Sequence, residues 1–392
     1  MFVISAYRRV QVQVNFKKLF VMKKFTIIIY CFMLVFVTAY SLKKPAYNWD
    51  ALPYMGIVLS YDNIDPNTVH SQVYSIAKDQ MPTVFYNRLV DPANPYRNNA
   101  AQSTAFFQSQ LPFYVVKPLY TGAAWLFYKA GVSLVMSTVW PSAIAYFLTG
   151  LLLFLWLKKY WDHLYACIAS LLIMLSPPML TVAGLSTPDA FSGFLLFTAV
   201  YFITEYKSVF AVFVFLLLAV FARLDNIIPA VCFLSVIFFT NKWERKISAA
   251  KKIILFSVLL LAWFIVSSNT RAFGWSVFFY PAFAKQLNSS YTVSSAFNFE
   301  GYIELAKTQL TTGLFFSFVS VFFFLVVFLL WNASLFSVSN LTMEQALAML
   351  FVLIILLRFI LQPLIADRIY IAYYLSVIAF LVKKNSLAVV RQ

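Results

Sequence analysis

The chain has 392 residues, of which 62% are hydrophobic, 19% aromatic and only 11% charged, and its mean hydropathy is +0.80. A chain this apolar is not a soluble domain and reads as an all-α polytopic membrane protein. The net charge of +16 does not signify nucleic acid, because the basic residues gather at helix ends and form no basic face for tracking phosphates.

Residues 1–24 carry Arg8, Arg9, Lys17, Lys18, Lys23 and Lys24 ahead of the apolar run Phe25 to Tyr40. That asymmetry sets the N-terminus in the cytoplasm and sends the first helix outward. Met22-Lys23-Lys24 has the look of a bacterial translation start, so residues 1–21 read as an upstream extension. The apolar run lacks a strong small-residue cleavage signal and reads as an uncleaved anchor. Residues 41–112 form a long polar loop holding Asp50, Asp62, Asp65, Asp79 and Asp91, part of an extracytoplasmic region 41–137. Leu111 to Gly131 is apolar but contains Lys117-Pro118 and Lys129, a pattern suited to a helix lying in the interface. If it does not cross, the next span, about Thr138 to Leu157, ends at Lys158-Lys159 on the cytoplasmic side, as the positive-inside rule prefers.

Further apolar runs follow at about 163–180, 189–206, 209–223, 227–240, 253–268, 314–331, 343–363 and 369–382, which gives about ten transmembrane helices. The runs 209–223 and 227–240, joined by Arg223-Leu224-Asp225-Asn226, fall short of the ~20 residues a crossing needs. They are expected to form a hairpin that stops inside the protein, with its charged turn lining a cavity. The chain thus divides into a basic segment 1–24, a module 25–268 and C-terminal helices 269–392. Cys31, Cys167 and Cys232 lie in separate apolar runs and read as small core residues, and His70 and His163 are too isolated to suggest zinc.

Asp50 follows the first helix by ten residues and stands beside Trp49, whose ring favours the headgroup level. A carboxylate there is placed to take a proton from a sugar hydroxyl, provided it comes within hydrogen-bond reach. Its bland reading is a solvated loop acid. Thr187-Pro188-Asp189 reads as helix-start chemistry, with Thr187 as the cap and Pro188 in the first position, or as an acid that orients a substrate. Arg223 and Asp225 either pair with each other or mark a binding pocket, with Arg223 as a ligand for a lipid phosphate. Lys117 is either a snorkelling lysine or a point charge for the same phosphate. Arg271, Arg358 and Arg368 read as interfacial anchors, each with a ligand role as the second reading, which for Arg271 and Arg368 is substrate orientation, and Asp367 reads as a local partner of Arg368. Asp62-Asn63-Ile64-Asp65 has the oxygens for a divalent cation, although a loop turn is the commoner meaning.

The outward first helix with its acidic loop, Lys117-Pro118-Leu119-Tyr120, Ser186-Thr187-Pro188-Asp189 and Arg223-Leu224-Asp225, taken in that order, resemble the GT-C class over residues 25–268. These are polytopic glycosyltransferases that use polyprenyl-phosphate sugars, including the bacterial aminoarabinose and protein mannosyl transferase relatives. The resemblance implies a GT-C-like fold and a site on the extracytoplasmic side of a bacterial cytoplasmic membrane. It also implies a polyprenyl-phosphate-linked sugar as donor and a glycan or lipid acceptor. By the same resemblance Asp50 is the catalytic base, Lys117 binds donor phosphate and Arg223 assists. No cofactor is required, no metal site is implied, and a divalent cation remains an option. Two departures stand out: Lys117 is followed by one proline where several relatives have two, and Asp50 lacks the adjacent second acid of the mannosyl branch. An O-antigen type polymerase or ligase, and a lipid or sugar transporter, are the rival readings. The first predicts that outer arginines matter more than Asp50, and the second predicts broken helices in pseudosymmetric halves.

Overall fold

The computed structural model describes residues 25–62, 64–239, 247–269, 299–314, 317–331 and 341–390. Every regular element among them is helical. The first helix, α1 (Phe25–Lys43), is 19 residues long and leaves Phe25, Ile28, Phe32 and Phe36 exposed, as a lipid-facing surface requires. Its other face meets α9 (Leu134–Leu157): Tyr30 donates a hydrogen bond to the Gly150 carbonyl at 2.7 Å. A Cβ built on Gly150 would stand 2.7 Å from Leu34 Cδ1, so the two helices approach as closely as they do only because this position lacks a side chain. Gly150→Val is therefore expected to destabilise the protein by about 1–3 kcal/mol through overpacking. Gly150→Ala should do less, since the obstructing atoms are the mobile end of Leu34. The melting midpoint in detergent, measured for both variants, checks the order.

Residues 51–129, read from sequence as a polar loop and an interfacial helix, fold instead as a helical cap. It comprises α2 (Ala51–Ser60), α3 (Pro66–Gln80), α4 (Thr83–Leu89), α5 (Pro95–Gln102), α6 (Thr104–Gln110), α7 (Pro112–Val115) and α8 (Pro118–Lys129). In α2 the residues from Ala51 to Leu59 are all buried, because an apolar stretch too short to span must cover itself. It packs with Val69 and Val73 of α3, Phe107 of α6 and Ala124 of α8. Asp65 starts α3 by accepting from the backbone amides of Asn67 and Thr68, with Pro66 in the first turn. The expected interfacial helix over 111–131 is broken at Val116 and Lys117, between α7 and α8. Lys117 thus occupies a gap in the helix, and is not on a lipid-facing turn.

Four described helices are long and apolar enough to cross a membrane, and six if each bent pair is one span, which replaces the ten read from sequence. The four are α1, α9, α15 (Ala249–Asn269) and α18 (Met343–Leu361). The run 163–180 bends by 69° between α10 (His163–Met174) and α11 (Pro177–Ala183), where Pro177 lacks the amide that would continue the helix. The run at 314–331 shortens to α17 (Phe318–Leu330), which bends by 73° from the segment Phe299–Gly313 that opens with α16 (Phe299–Thr308). The helix α12 (Asp189–Tyr201) loosens into a π turn over Phe202–Tyr206 and stops at Lys207, whose φ is 48°. As expected of the hairpin, α13 (Val209–Ala222) and α14 (Ile227–Phe239) are short, and a 3-10 turn over Leu224–Asn226 joins them. At 14 residues, α13 reaches only about 21 Å of a hydrocarbon core ~30 Å thick. The last helix, α19 (Asp367–Val390), has its apolar run cut by Lys383-Lys384.

At the centre α12 packs against α9, α13 and α19. Trp156 touches Phe197, Tyr201 and Phe380 there. Its indole donates to Glu205 at 3.1 Å, and Lys159, Tyr160 and Lys383 converge on the same carboxylate. Glu205 ties the ends of α9 and α19 to that of α12, one buried charge satisfied by several donors.

Candidate functional site

The site grows from the junction of α1 and α2. Ala46 donates its amide to the Gly184 carbonyl at 2.9 Å, and Tyr47 turns the chain with φ 41°. Asp50 then stands at the cap position of α2, but its side chain makes no capping bond. Instead the Tyr114 hydroxyl donates to Oδ1 at 2.9 Å and the Asn48 amide donates to Oδ2 at 2.9 Å. Asn48 is held in turn, because its Oδ1 accepts from the Ser186 backbone amide at 3.0 Å. The acid is thus no solvated loop carboxylate; both oxygens are oriented, and each retains a lone pair for a further proton.

Ser186 to Asp189 are pinned against α9. Ser186 and Thr138 share a hydroxyl hydrogen bond of 2.8 Å, and Ser142 donates to the Thr187 carbonyl at 2.7 Å. The helix α12 begins at Asp189 with Pro188 at the cap position, one residue later than the capping pattern anticipated. Asp189 is only 3% exposed. A helix N-terminus favours its charge, and Arg223 and Arg368 both pair with it, the latter at 3.2 Å.

At the hairpin turn Arg223 leaves α13 in extended backbone and grips Asp225 with two parallel bonds of 3.0 and 2.9 Å, the fork geometry a guanidinium favours. Arg358 of α18 also pairs with Asp225. Arg358 is 6% exposed, so it is a buried member of this network and not the interfacial anchor expected. Asp367 likewise does not pair with Arg368: its Oδ1 accepts from the Phe318 amide and the Tyr374 hydroxyl, each at 2.9 Å. Asp62 pairs with Lys129 at 2.7 Å and accepts from Trp125 at 3.1 Å, and Asp65 caps α3. Arg271 lies outside the described residues.

Lys117 sits among these groups without an anion of its own. Its ammonium lies 4.7 Å from the Tyr114 ring centre and 5.3 Å from that of Tyr54, both cation–π distances. Among the described residues the ammonium makes no hydrogen bond or ion pair, although the Lys117 backbone does. Burial draws its pKa down to about 8, with Asp50 opposing that shift and Arg223 adding to it, while Asp189 and Asp225 also oppose it. Those influences place Lys117, Asp50, Arg223, Asp189 and Asp225 in one electrostatic neighbourhood. Tyr54 stacks edge-on to both Tyr114 and Tyr120, with centroids 5.0 and 4.8 Å apart. Burial and the adjacent Asp50 push the Tyr114 phenol well above its ordinary range, so it keeps its proton and acts as a donor.

Asp50, Lys117, Arg223, Asp189, Asp225 and Arg368, singled out in the sequence, are therefore brought together. Asn48, Tyr54 and Tyr114 were not singled out, and Arg358 was read as an anchor. Asn48 lies two residues before Asp50 in the chain; the others meet the site only through the fold. Chemically, the arrangement offers a proton acceptor fixed on both oxygens beside a cation with three unused donors. No family model, curated protein or solved structure matches this chain.

Proposed function

We propose that this protein is a GT-C type membrane glycosyltransferase, moving a sugar from a polyprenyl-phosphate donor to a lipid-linked or cell-envelope glycan acceptor. On this reading the site faces the outer side of a bacterial cytoplasmic membrane. The observation that carries the proposal is the Lys117 ammonium, which has no carboxylate partner among the described residues although Asp50, Asp189 and Asp225 all lie in its electrostatic neighbourhood. A cation kept free beside an oriented carboxylate suits a substrate that brings an anion and needs a base. Asp50 takes the proton of the acceptor hydroxyl as that oxygen bonds to the anomeric carbon. The bond from that carbon to the phosphate oxygen breaks, its electron pair leaves with the phosphate, and the configuration inverts. A phosphate leaving group needs positive charge where its own charge develops, and Lys117 supplies it. Arg223 already engages Asp225 and Asp189, so it holds the site together and supports the phosphate through its field.

The direct test compares cells with and without the gene by mass spectrometry of lipid-linked sugars and surface glycans. Loss of one glycan with accumulation of its polyprenyl-phosphate sugar is the expected result; identical profiles would sink the proposal. A second expectation concerns pH. Lys117, drawn down to about 8, carries its charge below that pH and loses it as pH rises through it. Binding of a polyprenyl phosphate should therefore hold at lower pH and weaken above about pH 8, the midpoint moving somewhat upward because bound anion favours the ammonium. Lys117→Arg should remove the alkaline fall, since a guanidinium stays charged; fluorescence titrations across pH decide it.

A further inference from the structure

We infer that Tyr114 is a positioning residue which ties the phosphate-binding cation to the base, an inference that rests on the reading of the site proposed above. Two different parts of one side chain make the two contacts. The hydroxyl donates to Asp50 Oδ1 at 2.9 Å, and the ring lies 4.7 Å from the Lys117 ammonium. The backbone explains why one residue reaches both. Tyr114 belongs to the four-residue helix α7, which ends just before the break at Lys117, so the phenol and the ammonium are turned toward each other across that break. Tyr54, from the buried helix α2, packs edge-on to the Tyr114 ring at 5.0 Å and offers the ammonium a second face at 5.3 Å. The phenol is thereby fixed on one side by a packed ring and on the other by the carboxylate.

The consequence is a division of labour within the side chain. The ring keeps the lysine aimed into the site while no anion is present, because the aromatic face attracts the ammonium without neutralising it. The hydroxyl, together with Asn48 on the opposite oxygen, fixes the plane of the Asp50 carboxylate, so that its remaining lone pairs point toward the acceptor when donor phosphate is in place. Tyr114 neither gains nor loses a proton; the acceptor's proton goes to Asp50 and the phosphate departs with the bonding electrons.

Two substitutions separate the roles. Tyr114→Phe keeps the ring and its packing and removes only the bond to Asp50. It should lower kcat for sugar transfer roughly 10- to 100-fold through misalignment of the base, with binding of a sugar-free polyprenyl phosphate unchanged. Tyr114→Leu removes the ring as well and should weaken that binding roughly fivefold in addition. Transfer is measured in membrane vesicles supplied with lipid extract as donor, and binding by titration of the purified full chain with the polyprenyl phosphate. Wild-type transfer by Tyr114→Phe, or binding lost equally in both variants, overturns the inference. Asp50→Asn run alongside separates the two failures. If Asp50→Asn transfers as well as wild type, the reading of the site fails and this inference with it; an inactive Asp50→Asn beside a fully active Tyr114→Phe sinks this inference alone.

Discussion

Asp50→Asn is expected to lower sugar transfer by roughly 10²- to 10⁴-fold, the range that removal of a positioned general base commands. The substitution is close to isosteric. Its carbonyl oxygen can still accept from the Tyr114 hydroxyl, as Asp50 Oδ1 does now at 2.9 Å, so the cap and the tyrosine cluster around Lys117 should keep their shape. The opposite position changes sign: the Asn48 amide now donates to Oδ2 and would meet another amide group there. Asn48 is also bound to the Ser186 amide, so its rotation disturbs one link between the cap and α12. The expected pattern is a large fall in kcat with binding of polyprenyl phosphate retained within about threefold, because the anion is met by Lys117. Single-turnover transfer in reconstituted vesicles, alongside the binding titration, gives both numbers. Transfer within a few-fold of wild type would remove Asp50 as the base.

Much of the site was legible because a charge in so apolar a chain has few places to go. Asp50, Lys117, Asp189, Arg223 and Asp225 each stood out against hydrophobic surroundings, and the short hairpin followed from two runs too brief to cross. What the sequence does not carry is distance between remote residues. Tyr114 meets Asp50 from 64 positions away and Arg358 meets Asp225 from 133 positions away. Neither pairing leaves a mark in spacing or composition, and Arg358 resembled an anchor only because it lies near a helix end. The count of spans failed for a related reason. Every apolar run was counted, including the two of the hairpin already read as too short to cross, whereas Pro177 bends another and the π turn after Tyr201 loosens a third. The cap was missed because Ala51 to Leu59 is apolar over too few residues to read as a span and is flanked by acids; it is buried by its neighbours in the cap instead.

Asp225→Ala is expected to be the most destabilising single change in the network, by about 3–5 kcal/mol. The reason lies in what it leaves behind. Among the described residues Asp225 is the only carboxylate paired with Arg358, which is 6% exposed, and the Arg358 Nη1 has no hydrogen-bond partner there. Removing the acid strands a buried guanidinium, whereas Arg223 keeps Asp189. Arg358→Met should cost far less, since Asp225 retains the two-pronged grip of Arg223 at 3.0 and 2.9 Å and methionine fills similar space without a charge. The double variant Asp225→Ala with Arg358→Met should then be more stable than Asp225→Ala alone. Such recovery is the signature of an uncompensated buried charge, as opposed to lost packing, for which the two costs would add. Thermal midpoints of the detergent-solubilised protein, followed by fluorescence-detected size exclusion, rank the four forms. If Asp225→Ala and Arg358→Met melt alike and the double variant is worse than either, Arg358 does not depend on Asp225 for its charge, and the network is held by packing.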